Sequence, residues 1–214
     1  MPEDSTDASL LEAWAAGDKA AGSRLFERHF KSVKRFFSRK LGDDVEDLVQ
    51  HTFMKCVESL TRFRRASSFR TFLFGVARNV LRDHVRSRVR ATAELDETCA
   101  IDIGRGPTTL LSMAQDKRLL LEALRRLPLD TQILLELAYW ESLSSREIGE
   151  VLDINENTAR SRLRRSRELL EGALRAATRD SASLRTTMNN LDGWAAELRA
   201  QMVEASDATP SENH

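Results

Sequence analysis

Cysteine and net charge are both scarce in this sequence. Cys56 and Cys99 are its two cysteines, and they share no Cys-x-x-Cys spacing. Four histidines are scattered along the chain. No metal site is expected from such a set, and no cofactor-binding residue stands out. Two thiols of a cytosolic chain stay reduced. Cys56 falls on an apolar helix face and reads as a packing residue. Cys99 lies in a polar stretch, where a thiol sensor is the alternative to an inert residue. No apolar run reaches the ~20 residues of a membrane span, so no membrane contact of the chain's own is expected. No sustained alternation of Val, Ile and Thr suggests strands. The opening "MPEDSTDASL" is acidic, which fits neither a secretory signal nor a basic transit peptide, and the expected location is cytoplasmic. Paired carboxylates, a His–nucleophile pattern and a Gly-rich phosphate loop are all missing, so no catalytic residue is assigned.

What remains is helical. Of the 214 residues, 41% are hydrophobic and 31% charged, and Ala, Leu, Glu and Arg abound. An all-α protein of two small helical domains is expected. The 33 basic and 33 acidic side chains cancel, but they are sorted along the chain. Residues 1–21 are net −4 and residues 22–91 net +10, from 17 basic and 7 acidic side chains. Residues 92–115 are net −3, residues 116–180 balance, and residues 181–214 are again net −3. Placed basic surfaces attract polyanions.

Residues 92–115, "ATAELDETCAIDIGRGPTTLLSMA", contain Gly104, Gly106 and Pro107 with little helical period, and read as a flexible linker. They divide a module at 1–91 from one at 116–177, and 178–214 form a C-terminal extension.

The first module reads as four helices. "TDASLLEAWAAGD" has cap residues at its start and Gly17 at its end. The next stretch spaces Leu25, Phe26, His29, Phe30, Val33, Phe36 and Phe37 helically, up to Gly42. "DDVEDLVQHTFMKCVESL" opens on acids, as helix N-termini favour. Its apolar stripe is Val45, Leu48, Val49, Phe53, Cys56, Val57 and Leu60. The fourth helix sets Phe69, Phe72, Leu73, Val76, Val80 and His84 on one face and Arg78, Arg82 and Arg86 on the other. Before it, "RFRRASSF" interleaves arginines with Phe63. Single-stranded nucleic acid needs that combination, because cations meet phosphates and flat rings stack on unpaired bases. The same phenylalanines also suit a core.

In the second module Pro128 breaks one helix and Asp130 is placed to cap the next. Ser144 and Glu147 form a capping box, the apolar Ile148, Val151 and Leu152 follow, "DIN" makes a tight turn around Ile154, and Asn155 caps a last helix. Two helices joined so tightly form a helix-turn-helix. The last helix carries "NTARSRLRRSR", with five arginines and no acid in eleven residues. At about 100° per residue, Ala159, Leu163 and Leu170 share one face. Asn157, Thr158, Ser161, Arg162, Arg164 and Arg165 spread over the opposite half, and Arg160 and Arg167 flank the buried stripe. A helix lying in a major groove needs this division, with arginines that read guanine edges and others that hold phosphates.

Taken together, "DVEDLVQHTFMKCVESL", "RFRRASSFRTFLFGVARNVLRDHVR" and "LRRLPLDTQILLELAYWESLSSREIGEVLDINENTARSRLRRSRELL" resemble the extracytoplasmic-function (ECF) group of bacterial RNA polymerase sigma factors, over residues 8–175 and in family order. The resemblance implies a factor that binds core RNA polymerase, recognises promoter DNA and helps melt it, while the polymerase does the chemistry. It implies that the third helix docks on the polymerase clamp helices. Asp47 and Gln50 would be polar contacts, with His51 where the family usually has Glu, and Leu48, Phe53 and Met54 would pack. Phe63, Ser67, Phe69 and Asn79 would receive an unstacked base of the minus-ten element, with Arg65, Arg70, Arg78 and Arg82 around it. Asn157, Thr158, Arg160, Ser161, Arg162, Arg164 and Arg165 would read the minus-thirty-five element. An anti-sigma factor is a further implied partner.

The extension departs from a minimal member. Leu184, Met188, Leu191, Trp194, Leu198 and Met202 are spaced as an amphipathic stripe, and "SDATPSENH" reads as disordered. The competing reading is a conventional duplex-binding helix-turn-helix regulator whose first module senses or dimerises. It leaves the aromatic–arginine loop and the "DLVQ" helix without a role.

Overall fold

In the computed structural model of this chain, the described residues are 6–42, 44–59, 67–93 and 115–177. Phe63, Arg65, Cys99, the linker from 94 to 114 and the extension lie outside them. The described residues fold as eight α-helices and one π-helical turn, with no strand among them. None of these helices is long and apolar enough to cross a membrane. The chain divides into two compact units. The first contains α1 to α4, and residues 149–154 group with it. The second holds α5, α6, the π-helical turn and α8.

In the first unit, local caps set the helix ends. Thr6 stands before α1 (Asp7–Ala15) and its hydroxyl oxygen accepts the Ser9 N–H at 3.3 Å. Gly17, at φ 104°, turns the chain in a conformation that side chains resist. Asp18 then caps α2 (Lys19–Leu41), accepting from the N–H groups of Ala20 and Ala21 at 2.9 and 3.2 Å. Two ties hold α1 to α2. Asp7 accepts from Arg28 at 2.8 Å and pairs with His29 Nε2 at 2.7 Å. The Trp14 ring lies on Gly22, where a Cβ would come within 2.8 Å of it. Helix α3 (Glu46–Ser59) is tied to α2 by Lys34 and Glu46 at 2.6 Å.

Helix α4 (Phe69–Ala93) starts at Ser68, whose Oγ accepts the Thr71 N–H at 3.1 Å. Its buried face is Phe69, Leu73, Phe74, Ala77, Val80 and Leu81, while Phe72, Val76 and His84 are half-buried. The stripe read from the sequence is therefore turned by about one position. On α3, Val57 was expected in the buried stripe and is 49% exposed, and Leu48 is half-buried. Cys56 is fully buried, and burial pushes its thiol up to about 12, so it packs as an inert residue.

In the second unit, α5 (Gln115–Arg125) and α6 (Leu129–Leu135) meet at Pro128. Pro128 itself is the N-cap of α6, and no side chain caps it. Asp130, expected to cap, sits instead within the first turn, where its charge faces the helix N-terminus favourably. The junction is closed from the other side by Gln132, which donates to the Leu127 carbonyl at 2.8 Å. The π-helical turn (Glu136–Trp140) buries Tyr139 and Trp140 in succession. These two rings pack with Leu120, Ala123, Leu127, Leu135, Leu170 and Leu174 into one core.

Candidate nucleic-acid interface

Local hydrogen bonds build the helix-turn-helix expected from the sequence. Ser144 and Glu147 close the capping box of α7 (Ser145–Leu152). The Glu147 carboxylate accepts from the Ser144 N–H at 2.8 Å, and the Ser144 Oγ accepts the Glu147 N–H at 3.3 Å. Asp153 turns the chain at φ 56°, and the Ile154 N–H returns to the Gly149 carbonyl at 2.9 Å. Asn155 Oδ1 accepts the Thr158 N–H at 2.8 Å, and α8 (Glu156–Ala177) begins.

Helix α8 buries Ala159, Ser166, Leu170 and Leu174, with Leu163 half-buried. Asn157, Arg160, Ser161, Arg162, Arg164 and Arg165 are exposed and border one open surface together with Glu168 and Leu169. Thr158, at its edge, is half-buried. The acid-free cluster is bracketed by acids that do reach in. Glu156 pairs with Arg160 at 2.6 Å, and Glu168 pairs with Arg164 at 3.5 Å. Arg162 and Arg165 have no ion pair among the described residues. Arg167 is set apart from all of these, because its guanidinium lies 5.2 Å from the Tyr139 ring centre and packs on the core. Glu168 was not singled out in the sequence, although its spacing of four from Arg164 is the usual ion-pair signal.

On the first unit, α3 presents Asp47, Gln50, His51 and Met54 on one exposed face. Met54 is 54% exposed, and Val57 extends that face. Phe53 does not. It is buried, with its ring 4.7 Å from Phe26 and 6.4 Å from Phe30 between centres. Phe53, expected to pack in a docking contact, lies beneath this face and supports it. Phe30, 42% exposed, carries the apolar surface onto α2 and was read in the sequence only as one of a helically spaced set.

Phe69, for which the sequence left a core role open beside the minus-ten one, lies in the core. It is buried against Phe26, His29 and Phe72, with ring centres 6.4, 5.6 and 6.3 Å away. Its neighbour Phe72 is half-buried and shares a helix side with the exposed Asn79, seven residues on. Ser67, Arg70, Arg78 and Arg82 are half-buried at the surface of the same unit. Arg70 lies 6.0 Å from the Phe74 ring centre. His84 is held below its ordinary value, by burial first and then by the charge of Arg88. The described residues contain no cluster of three or more His, Cys, Asp or Glu side chains that could hold a metal.

Comparison with known proteins places these two surfaces in one context. Residues 25–91 match the family described as Sigma-70 region 2, and residues 117–170 match Sigma-70, region 4. The chain is 29% identical over 185 residues to the ECF RNA polymerase sigma-E factor of Haemophilus influenzae, covering 81% of this chain and 98% of that one. It is 28% identical over 190 residues to the protein of the same name from Escherichia coli, covering 84% and 100%. Among solved structures, the sigma factor RpoE of Bartonella quintana, in complex with the anti-sigma factor NepR, shares the fold. Its TM-score is 0.60 at 23% identity, over 72% of this chain and 96% of that one. CnrH, in complex with the cytosolic domain of CnrY, does so with a TM-score of 0.57 at 22% identity, over 80% and 99%.

Proposed function

We propose, from the premise that this chain belongs to the ECF subfamily of sigma-70 RNA polymerase sigma factors, a division of labour between its two units. The chain is an ECF-type factor for transcription initiation, and the polymerase that it joins performs the chemistry. Residues 1–91 dock on core RNA polymerase and open the minus-ten element. Residues 92–115 link, residues 116–177 read the minus-thirty-five element, and the extension at 178–214 is accessory. The site of action is the cytoplasm, where polymerase and promoter DNA are. An anti-sigma factor is the regulatory partner that the relatives with solved complexes suggest.

The docking face is Asp47, Gln50, His51, Met54 and Val57 on α3, with Leu48 at its edge and Phe53 as its support. Its exposure of Met54 and Val57 supports this reading, since neighbouring apolar side chains in water mark an interface. The melting surface runs from the Phe63–Ser68 loop onto α4. Phe63, Arg65, Ser67, Arg70, Arg78, Asn79 and Arg82 are assigned to it, and Phe69 holds its wall. An extruded base costs a few kcal/mol, of which stacking returns roughly 1–3.

The observation that carries the reading is the exposed face of α8. A chain with no net charge holds Arg160, Arg162, Arg164 and Arg165 there, beside Asn157 and Ser161. The test is in vitro transcription from genomic fragments by core polymerase with and without this protein. Transcripts that start at defined sites only in its presence are expected. Binding to duplex promoter DNA with no association with core polymerase would favour a conventional helix-turn-helix regulator instead.

A further inference from the structure

The basic side of α4 runs on past the surface assigned to the minus-ten element. Leu81 is buried, and none of residues 82–90 is, although the helix continues to Ala93. Those nine residues hold four arginines against one acid, Asp83. Arg82 is half-buried, and Arg86, Arg88 and Arg90 are exposed. Arg82, Arg86 and Arg90 stand four apart, so like charges face each other at every turn, which weakens a helix. None of the three has an ion pair among the described residues. A helix C-terminus favours cations, but only within its last turn. That accounts for Arg90, which lies there, and leaves Arg82 and Arg86 unexplained.

Direction ties this end of the helix to the melting surface. At about 100° per residue, Phe72, Asn79, Arg86 and Arg90 lie within about 40° of one another. Arg88 points the opposite way, about 160° from Arg86 and from Arg90. At 1.5 Å per residue, Arg86 is about 10 Å and Arg90 about 16 Å along the axis from Asn79. One DNA strand advances 3.4 Å per phosphate, so these distances match about three and five base pairs. Asp83 shares the exposed side and repels phosphates from the turn between, so the first contact falls at Arg86.

We propose that the end of α4 grips the promoter duplex just upstream of the minus-ten element by its phosphates, with Arg86 and Arg90 as the two contacts.

The inference rests on the reading of α4 as the minus-ten surface and deepens it. In that reading the chain proceeds from α4 through residues 92–115 to the module assigned to the minus-thirty-five element. The C-terminal end of α4 is then the end toward upstream DNA, which is still paired. Lone arginines on an exposed helix side suit backbone oxygens, whose positions do not depend on sequence. One helix thereby holds the duplex where it must stay closed and takes up the base where it opens.

The experiment uses holoenzyme made from core polymerase and the full chain, on two probes cut from a promoter found by the transcription assay. Both carry the minus-ten element with its non-template strand unpaired. The short probe starts at that element, and the long one adds about ten upstream base pairs, one helical turn. Affinity is measured across potassium chloride concentrations. On the long probe, Arg86→Gln is expected to reduce the slope of log affinity against log salt by about 0.9, and Arg86→Gln with Arg90→Gln by about 1.8. On the short probe both variants should match the parent. Arg88→Gln removes the same charge from the opposite side and should match the parent on both probes. Scrambling the upstream base pairs should leave every slope unchanged. Glutamine keeps helix propensity, and thermal melts that match the parent check the fold. An equal loss for Arg86→Gln and Arg88→Gln overturns the grip, and so does a loss on the short probe. If the parent prefers its own minus-ten element to a scrambled one while Arg86→Gln keeps the full slope, the grip falls and the minus-ten reading stands. A slope reduced as expected, with no preference for the minus-ten element, keeps the grip and removes the minus-ten role of α4.

Discussion

Two arginines on one helix turn can have different work because of the acid beside one of them. Arg160 and Arg164 are held by Glu156 and Glu168, at 2.6 and 3.5 Å, whereas Arg162 and Arg165 carry no such pair among the described residues. Exposed pairs of this kind are worth at most about 1 kcal/mol, so they bias the direction of a guanidinium without fixing it. Arg165→Ala is expected to cost about 1–3 kcal/mol of promoter affinity on particular minus-thirty-five sequences, measured by competition between promoter and scrambled duplexes. An equal loss on both duplexes would reduce Arg165 to a phosphate contact. A second charge effect holds the fold rather than the DNA. Burial pushes the Asp7 carboxyl up, but the Arg28 hydrogen bond and then His29 outweigh it, and its pKa ends below the usual 3.8. A carboxylate whose folded-state value is depressed stabilises the fold above its unfolded value, and that contribution disappears as pH falls through the folded one. Asp7→Asn should therefore lower stability by about 1 kcal/mol at neutral pH, with the gap closing below about pH 4. Thermal melts of both proteins across that range test it. A gap that persists unchanged in acid would assign the loss to shape instead of charge.

Helices declare their ends more clearly than their rotation. Thr6, the Ser144–Glu147 box and Asn155 all cap as their side-chain chemistry dictates, and the corresponding helix starts were readable before any coordinates, whereas the Asp18 cap was not singled out in the sequence. The rotation of α4 was not. Its apolar residues spread over more than half a turn, and periodicity cannot choose between Phe72 and Val76 on one side and Phe74 and Ala77 on the other. Its neighbours in the four-helix unit make that choice, and they bury Phe74 and Ala77 completely. Val57 on α3 failed for the same reason, since an apolar residue beside a stripe serves a core or a partner equally well. Asp130 failed because Pro128, with its fixed φ, already occupies the cap of α6. Close packing was also hidden from sequence. Nothing in the spacing of Trp14 and Gly22 announces that ring and backbone touch. Gly22→Ala should improve helix propensity by about 1 kcal/mol, yet its Cβ would lie 2.8 Å from the Trp14 ring. Overpacking of that sort costs about 1–3 kcal/mol, so a net loss of stability is expected, with a changed near-ultraviolet signal from the displaced indole. A variant more stable than the parent would show that α1 yields freely to the added methyl.

A neutral protein meets both a polymerase and DNA by sorting its charges and its apolar surface instead of accumulating either. The basic side chains gather in residues 22–91 and in α8, acids fill the stretches before and between, and the total is zero. Sorting by charge is written in the sequence, so the arginine-rich helix proposed to face DNA could be picked out directly. The surface proposed to face polymerase could not be read that way, because it is a mixed patch. Asp47 and Gln50 stand in water beside Met54 and Val57, over a floor made by Phe53, and Phe30 carries the apolar surface onto α2. Only the family resemblance pointed to α3, and sequence cannot tell whether Phe53 supports that face or touches a partner. The two roles separate by mutation. Asp47→Ala with Gln50→Ala removes two exposed polar groups near the helix start. The cost to the fold should stay within about 0.5 kcal/mol, as for most surface substitutions. If α3 docks on core polymerase, the same double variant should lose at least tenfold in affinity for it, because polar groups around an apolar centre lose their partners on both sides of the interface. Phe53→Ala should behave in the opposite order. Removing a buried ring costs about 3–5 kcal/mol, so the melting temperature falls first and polymerase binding fails with it. Pull-down of core polymerase read beside thermal melts distinguishes the cases. A well-folded double variant that captures core polymerase as strongly as the parent would show that the docking surface lies elsewhere on the first unit.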